Sequence, residues 1–343
     1  MLRCLDDNMR TTLSIEDALY KKLVEKSLER YGSMRHLSEL INELLAGSMK
    51  QEARGEKPMV GSKWQVASGN EQRATGHKPL ATSYQPLPRG RIETYILHEL
   101  EEKGGLLFAV IDPMDYSNPG EAVRTAKNAN DAGCDIILIG GSTGVQGEML
   151  DGVAKMIKEN VNVPVVLFPG NIGTLTKYAD AVYFMSLLNS RNPYWISGAQ
   201  MLAAPNVKLL GVEPLPTGYI VVEPGGTVGH VGEANRIPRD KPKLAAALAL
   251  AAQYMGFRFV VTDAGSNPKE GHIPLEMVAA VSKTIDIPYI VAGGIRTPEQ
   301  ARNVIAAGAD ILQVGTAFEK NGNVSKIKEM VNAVREGATG GKR

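Results

Sequence analysis

The chain has few of several residue types and patterns, and each shortage excludes a class of protein. Only two of its 343 residues are cysteine, Cys4 and Cys134. Two distant cysteines cannot form a disulfide framework and fit a reducing compartment. No apolar run approaches the roughly 18 residues of a membrane-spanning helix, and the N-terminal segment lacks the apolar core of a signal peptide. We therefore expect a cytoplasmic protein.

Charge and common catalytic motifs are also sparse. The formal net charge is +1, so overall electrostatics favours no class of partner. The sequence has no histidine spacing typical of a metal site, no cysteine cluster and no serine-nucleophile elbow. It has no G-x-G-x-x-G after its first predicted strand, which disfavours a dinucleotide-binding fold.

The sequence divides into three parts. Residues 1–46 form a short patterned unit, residues 47–91 are polar and rich in Gly, Pro, Ser, Gln and Lys, and residues 92–343 contain regular apolar runs. The middle part buries too little apolar surface to offset the entropy cost of ordering it. We predict a flexible linker there and domain boundaries at its ends.

From residue 92 onward, predicted strands alternate with predicted helices. The strand regions are 106–111, 135–139, 163–168, 181–185, 207–222, 258–262, 288–292 and 311–314. The helical patterns are 119–131, 148–160, 194–202, 243–254, 275–284, 298–306 and 325–335. Strands that are apolar throughout are typical of a parallel sheet covered on both faces. Eight repeats in about 250 residues predict an α/β protein with a closed (β/α)8 TIM barrel; an open doubly wound sheet is the competing fold.

Glycine turns follow the last two predicted strands. They are Gly293-Gly294 and Gly315-Thr316. In barrels, backbone N–H groups at this position with a helix start behind them bind phosphate, and glycine lets the backbone approach the anion. Two such turns together favour a phosphate ligand over simple chain reversal.

Asp112 and Ser142 follow the first and second predicted strands. A carboxylate and a hydroxyl on adjacent strands are oxygen ligands that suit Mg²⁺, which takes few protein ligands and keeps water and phosphate oxygens. Helix capping explains an aspartate and a serine at these positions equally well.

A third strand end carries a carboxylate and a glycine turn. Glu223 follows apolar residues and precedes Pro224-Gly225-Gly226. In a phosphate-binding barrel, its carboxylate is suited to accept hydrogen bonds from substrate hydroxyls and raise their nucleophilicity. Arg191 lies just before the predicted helix start at Asn192-Pro193, where it is suited to face a diphosphate, although a surface arginine is nearly as good an interpretation.

At these residues the chain resembles the geranylgeranylglyceryl phosphate synthase family, over roughly residues 92–337. The most specific mark is the stretch 219–229, YIVVEPGGTVG. Supporting marks are 111–113, 140–142 and 186–195.

The resemblance implies a prenyltransferase. Such an enzyme joins the 3-hydroxyl of sn-glycerol 1-phosphate to geranylgeranyl diphosphate, forms an ether and releases diphosphate, in the first ether-forming step of archaeal membrane lipid synthesis. The resemblance also implies a dimer or hexamer. Because the prenyl substrate is so apolar, we expect the protein to contact a membrane surface. Phe168, Tyr183, Phe184, Tyr194 and Trp195 are candidates to line the groove for the prenyl chain.

The resemblance also assigns roles to residues. Asp112 and Ser142 would hold Mg²⁺ at the diphosphate, and Glu223 and Tyr219 would be catalytic. The residues that would bind glycerol phosphate are Tyr219, Ile220, Val221, Val222, Glu223, Pro224, Gly225, Gly226, Gly293, Gly294, Gly315 and Thr316. Many family members continue Asp-Pro as Asp-Lys, but here Met114-Asp115 follows, and Arg191 is our candidate for the missing cation.

The N-terminal unit resembles a ribbon-helix-helix domain. Residues 10–15 alternate like a strand, and 16–30 and 34–45 have helical spacing. The resemblance places Arg10, Thr12 and Ser14 toward the bases of DNA. Residues 1–50 contain eight Lys/Arg and eight Asp/Glu, with no basic excess to meet phosphates, so dimerisation alone is the competing interpretation.

Two other functions compete with the prenyltransferase. One is a phosphosugar isomerase, in which Asp112 and Asp263 would form the acid–base pair. The other is a DNA-binding regulator whose barrel is a sensor.

Overall fold

The computed structural model describes residues 2–6, 9–13, 89–141, 145–319 and 323–339. The chain divides into two compact units, Met1–Tyr84 and Gln85–Arg343. In the first unit, strand Met9–Leu13 pairs antiparallel with Leu2–Asp6, with Leu2 opposite Leu13. The strand predicted at 10–15 overlaps this hairpin. The helices predicted at 16–30 and 34–45, and the linker through residue 88, lie outside the described residues.

The second unit contains eight parallel strands in a closed barrel, which confirms the predicted (β/α)8 fold. The strands are β1 Leu106–Ile111, β2 Ile136–Ile139, β3 Val165–Leu167, β4 Ala181–Leu187, β5 Glu213–Val221, β6 Phe259–Asp263, β7 Tyr289–Ala292 and β8 Ile311–Val314. Each pairs with the next in chain order, and β8 closes the barrel against β1. All eight carboxyl ends therefore meet at one rim.

Helices surround the barrel. They are α1 Arg91–Lys103, α2 Pro119–Ala132, α3 Gly147–Asn160, α4 Ala199–Leu210, α5 Gly226–Val231, α6 Pro242–Tyr254, α7 Leu275–Ser282, α8 Pro298–Ala306, α9 Thr316–Glu319 and α10 Val324–Thr339. A π-helical turn, Tyr194–Gly198, leads into α4. Residues 168–180, all of them described, connect β3 to β4 by turns without a helix. The rim between β3 and β4 is therefore formed by a loop.

The strands are apolar throughout because both of their faces are buried. In β1, Leu106 and Phe108 belong to the cluster that fills the barrel interior, and Leu107, Ala109 and Ile111 pack against the helices. This alternation is the two-residue period of a strand. The interior is a packed core, so ligands have room only at its ends.

Helix α1 was not predicted, and it covers the amino-terminal end of the barrel. Its Ile92 and Ile96 pack in the interior cluster with residues at the starts of the strands, such as Leu106. Both carboxylate oxygens of Glu213 accept backbone hydrogen bonds at its start, from Ile92 at 2.7 Å and Glu93 at 2.9 Å. These bonds satisfy donors that a helix start leaves open. The carboxyl-terminal rim is thus the open end.

One predicted strand was wrong in its first part. Residues 207–210 continue α4, which extends past Pro205 and ends at Gly211 in the left-handed region, φ 69°. Strand β5 begins only at Glu213. The helix was predicted to end at residue 202, but it continues through Pro205 even though a proline removes one helical hydrogen bond.

Among the described residues, no helix has both the length and the apolar character that crossing a membrane requires.

Candidate active site

Two cavities open at the carboxyl-terminal rim and share a boundary. A polar cavity of about 500 Å³ lies over the ends of β6, β7, β8 and β1. An apolar cavity of about 140 Å³ lies over β3, β4 and β5. Both are lined by Gly141, Phe168, Asp263 and Ser266. The rim therefore has space for a ligand with a polar head and an apolar tail.

Glycines bring the loops after β5, β6 and β7 into backbone contact. A Cβ on Gly265 would lie 2.6 Å from the carbonyl carbon of Gly225, and one on Gly293 would lie 2.6 Å from the carbonyl oxygen of Gly265. Gly265 and Gly293 have φ of 88° and 81°, where a side chain is also strained. The loops after β5, β6 and β7 are therefore packed backbone against backbone.

The predicted phosphate turns differ in their positions. Gly293, Gly294, Gly315 and Thr316 all line the polar cavity. Gly225 and Gly226 are not among the described residues that line either cavity. They support the loop after β6 from behind.

Asp112 lies in the polar cavity, half-buried at the end of β1. Its Oδ1 accepts a hydrogen bond from the Met114 N–H at 3.1 Å. A Cβ on Gly141 would lie 3.0 Å from the same oxygen, so the carboxylate is close to the chain just before Ser142. Burial raises the pKa of Asp112. Ser142 itself lies outside the described residues.

Asp263 and Tyr219 form a buried pair where the cavities meet. The Tyr219 hydroxyl donates a hydrogen bond to Oδ2 of Asp263, and Oδ1 accepts one from the Gly265 N–H at 2.6 Å. Burial raises the pKa of both groups. Tyr219 lines the apolar cavity, and Asp263 lines both. Sequence reasoning assigned Asp263 only to the isomerase alternative, although the signal was visible: a carboxylate at a strand end followed by Ala-Gly-Ser.

Glu223 is exposed and is not among the described residues that line either cavity. Its N–H donates to the Ile237 carbonyl at 3.0 Å, and its carbonyl accepts from Arg239 at 3.3 Å. Arg236 donates to the Pro224 carbonyl at 3.1 Å. The turn is therefore held by the arginines of a following segment, and the catalytic role of Glu223 stays a prediction.

The three residues before Glu223 are fully buried. Ile220 and Val222 pack against the helices, and Val221 packs in the barrel interior. The structure gives these side chains a packing role, and their predicted contact with substrate stays a prediction.

Arg191, the predicted cation, is not one of the cations that line the polar cavity in the described part of the chain. Arg191 is exposed, its N–H donates to the Glu233 carbonyl at 3.1 Å, and it is not among the described residues that line either cavity. Arg296 and Lys326 line the polar cavity instead. Arg296 follows the glycine turn after β7, so its place in the motif Gly293-Gly294-Ile295-Arg296 was the available signal.

Aromatic rings form part of the lining of the apolar cavity. Four of the five predicted aromatic residues line it: Phe168, Tyr183, Phe184 and Trp195. The Phe168 ring centroid is 5.7 Å from that of Tyr183 and 5.9 Å from that of Tyr219. The fifth, Tyr194, donates a hydrogen bond from its hydroxyl to Asn171 at 2.7 Å and packs edge-on against Trp195.

The cavities also contain polar atoms without a partner in the described part of the chain. They are the Tyr183 hydroxyl, Oε1 of Gln200 and Oε1 of Gln313, all buried. Unsatisfied buried polar atoms are rare in folded proteins. Their concentration at the two cavities is consistent with a ligand that binds there.

Acidic groups exceed basic ones in the polar cavity. Its described lining carries two cations and five carboxylates, which are Asp112, Asp115, Asp263, Glu319 and Glu329. Among the described residues, no three His, Cys, Asp or Glu side chains come close enough together to hold a metal ion by themselves. A metal here would need oxygens from a ligand or water as well.

Comparison with known proteins identifies the family. The model of the PcrB family matches residues 99–336. The chain belongs to the PcrB family. Together with the relatives described next, this match confirms the resemblance to the geranylgeranylglyceryl phosphate synthase family.

Relatives and solved structures agree with this membership. The chain is 54% identical to geranylgeranylglyceryl phosphate synthase from Thermococcus sibiricus, over 72% of this chain and 96% of the relative. It is 52% identical to the enzyme from Thermococcus kodakarensis, over 74% of this chain and all of the relative. The crystal structure of (S)-3-O-geranylgeranylglyceryl phosphate synthase from Thermoplasma acidophilum in complex with sn-glycerol-1-phosphate matches with a TM-score of 0.68 at 39% identity. That match covers 71% of this chain and 98% of the other.

Proposed function

We propose that this chain is a prenyltransferase that joins the 3-hydroxyl of sn-glycerol 1-phosphate to C1 of geranylgeranyl diphosphate. The C–O bond to the diphosphate breaks, an ether C–O bond forms, and the hydroxyl proton leaves to a base. The observation that carries the proposal is the junction, at Asp263, of a polar, glycine-lined cavity with an apolar one whose lining includes aromatic rings. An isomerase of small phosphosugars would have no use for the second cavity.

The glycine turns of the polar cavity suit the phosphate of the glycerol substrate. Gly293 and Gly294 follow β7, and Gly315 and Thr316 follow β8. All four line the cavity, and backbone N–H groups at such turns bind phosphate oxygens. With its phosphate there, the glycerol moiety extends toward Asp263, where the cavities meet.

Magnesium fits the donor set of the polar cavity. Asp112 supplies a carboxylate at the end of β1, close to Gly141 and the chain that leads to Ser142. Oxygen donors with room for water and phosphate oxygens are what Mg²⁺ prefers. When bound, the ion would neutralise the charge that develops on the departing diphosphate. Its requirement is part of the proposal.

Asp263 is the best-placed group to accept the hydroxyl proton. It lines both cavities, so it is near the place where an acceptor hydroxyl and an allylic carbon would meet. Burial raises its pKa, which makes its carboxylate a stronger base. Tyr219 holds one oxygen and the Gly265 N–H holds the other. The geometry thus favours Asp263 over the exposed Glu223.

A product assay tests the function. The full chain is incubated with sn-glycerol 1-phosphate and prenyl diphosphates of C15 to C35, with Mg²⁺ or with a chelator, and products are identified by mass spectrometry. We expect an ether product and diphosphate release with Mg²⁺, and loss of both with the chelator. Absence of an ether product with every prenyl diphosphate would refute the proposal, and unchanged turnover in chelator would refute the magnesium requirement.

Three further expectations stay proposals. They are assembly into a homo-oligomer (a dimer or hexamer), contact with a membrane surface, and DNA binding by the N-terminal unit.

A further inference from the structure

The polar cavity presents a charge problem for any phosphate ligand. Five carboxylates line it among the described residues, against only Arg296 and Lys326. A phosphate monoester carries close to two negative charges near neutral pH. Backbone N–H groups contribute partial charges only. A full positive charge, fixed beside the glycine turns, would offset the repulsion from this acidic lining.

Arg296 is fixed at this place by neutral acceptors. Its Nε and Nη2 donate to Oδ1 of Asn267 at 3.2 and 2.9 Å, and Nη2 also donates to the Pro268 carbonyl. Its backbone N–H donates to Gln300 at 2.8 Å. Since an amide and a carbonyl are uncharged, these bonds orient the guanidinium without neutralising it. Within the described part of the chain, Arg296 forms no ion pair, and its Nη1 makes no hydrogen bond.

The backbone conformation of Asn267 suits its role of orienting Arg296. Its φ of 48° lies in the left-handed region, which asparagine enters more readily than most residues. That backbone turn follows β6, whereas Arg296 follows β7, so the contact joins two loops of the cavity. Both residues line it.

Lys326 is the weaker candidate for this charge. Like Arg296, it is exposed. Its backbone N–H, near the start of α10, donates to Oδ1 of Asn323 at 2.9 Å, but its ammonium group forms no ion pair or hydrogen bond with a described residue. A flexible lysine loses more side-chain entropy when it binds than a guanidinium that is already held in place. Arg296 is the prepositioned cation of the two.

We propose that Arg296 binds the phosphate of the glycerol substrate and that Asn267 is its positioning residue. The inference rests on the proposed function. Arg296 lines the polar cavity beside Gly294 but is not among the described residues that line the apolar cavity. It directly follows the Gly293-Gly294 turn, which is assigned to the glycerol phosphate, so it acts on the acceptor substrate. The diphosphate is left to the Mg²⁺ that Asp112 would hold.

Steady-state kinetics with each substrate varied in turn tests this role. The variants are Arg296→Gln, Arg296→Lys and Asn267→Gly. The last is compatible with the left-handed backbone and removes the side chain whose amide orients Arg296. Arg302→Gln is the matched control, because Arg302 lies on the following helix and pairs with Glu336. Melting temperatures show whether each variant folds.

Arg296→Gln is expected to raise KM for sn-glycerol 1-phosphate about tenfold or more, as loss of a charged hydrogen bond predicts. KM for geranylgeranyl diphosphate should change less than about threefold, within the scatter of a remote substitution. Arg296→Lys should recover part of the loss, Asn267→Gly should give a smaller rise, and Arg302→Gln should match the unaltered chain. An unchanged KM for glycerol phosphate, or an equal rise for both substrates, overturns the inference.

Failure of the inference and failure of the proposed function are distinguishable. If the unaltered chain forms an ether but Arg296→Gln behaves like it, only the inference falls. If the unaltered chain forms no ether, calorimetric titration with sn-glycerol 1-phosphate alone decides: binding that Arg296→Gln weakens supports the inference. Absence of binding, or equal binding by both proteins, overturns it.

Discussion

The Tyr219 hydroxyl donates a hydrogen bond to Asp263 where the polar and apolar cavities meet. The two residues lie on adjacent strands, with Tyr219 paired to Val261 two residues before Asp263. The interior position of Tyr219 places its hydroxyl below the strand-end carboxylate. The strand register therefore places a carboxylate and its hydrogen-bond donor between the two cavities.

The first prediction concerns the base. Asp263→Asn should lower kcat by about 100-fold or more, because general bases contribute 10²–10⁴-fold. The change is nearly isosteric. The Gly265 N–H keeps its acceptor Oδ1, and the Tyr219 hydroxyl, which donates to Oδ2 in the unaltered chain, can accept from the amide nitrogen that replaces it. Single-turnover rates at saturating substrates measure the effect.

Glu223→Gln is the matched comparison. Its side chain is exposed outside the described lining of both cavities, so we expect kcat close to that of the unaltered chain. If Glu223→Gln is the slower variant, the base is Glu223 as the sequence predicted, and the role of Asp263 is withdrawn.

The second prediction is a shift in pH dependence. Burial raises the pKa of Asp263, and the hydrogen bond from Tyr219 lowers it in part. Tyr219→Phe removes this donor while keeping the ring against Phe168, so the pKa of Asp263 should rise further. The carboxylate is then protonated at higher pH, and the acidic limb of the kcat profile should move upward. A limb that stays in place or moves to lower pH would contradict this pairing.

Local sequence pattern predicted most of the barrel. The bounds of β1, β8 and α8 agree with the predicted regions to the residue, because apolar runs between glycine or proline signals define such elements. Helix α1 was missed although Ile92, Ile96 and Leu100 have helical spacing. Its start is held by Glu213, far along the chain, and such a contact leaves no local signal.

The site was predicted less completely than the fold. Strand-end glycines and Asp112 were found because position along the chain is enough to place them at the rim. Glu223 was placed by the same rule, yet its turn is covered by Arg236 and Arg239. Arg296 was missed because its orientation depends on Asn267, which lies on another loop. Which side chains face the cavity is decided by contacts between loops.

The third prediction separates steric from conformational effects of a glycine. Gly293 and Gly256 both have positive φ, 81° and 90°. A Cβ on Gly293 would lie 2.6 Å from the Gly265 carbonyl oxygen and 2.7 Å from Oδ1 of Asp263, whereas one on Gly256 meets nothing within 4 Å. Gly256→Ala should therefore cost about 1 kcal/mol of stability with full activity.

Gly293→Ala should cost more, about 2–3 kcal/mol, and should also raise KM for sn-glycerol 1-phosphate because the loops of the phosphate site must separate. Urea unfolding and steady-state kinetics measure the two effects. Equal losses of stability in both variants would mean that the loops are not packed as tightly as their backbone contacts indicate.

The fourth prediction concerns the opposite end of the barrel. Asp135 is buried and accepts hydrogen bonds from Lys103 at 2.8 Å, from Arg335 at 2.7 and 2.8 Å, and from the Leu107 N–H at 2.8 Å. Asp135→Asn removes the carboxylate from Arg335, while Lys103 keeps its ion pair with Glu99. Because both cations are partly exposed, we expect a cost of about 2–3 kcal/mol.

Asp131→Asn is its control. Asp131 pairs with Lys127 four residues earlier on α2, and both side chains are substantially exposed, so the loss should be below about 1 kcal/mol. KM values should be unchanged in both variants, because neither residue is among those that line the cavities at the other end. Comparable losses of stability would show that Asp135 is hydrated despite its burial, and a changed KM would show that the two ends of the barrel are coupled.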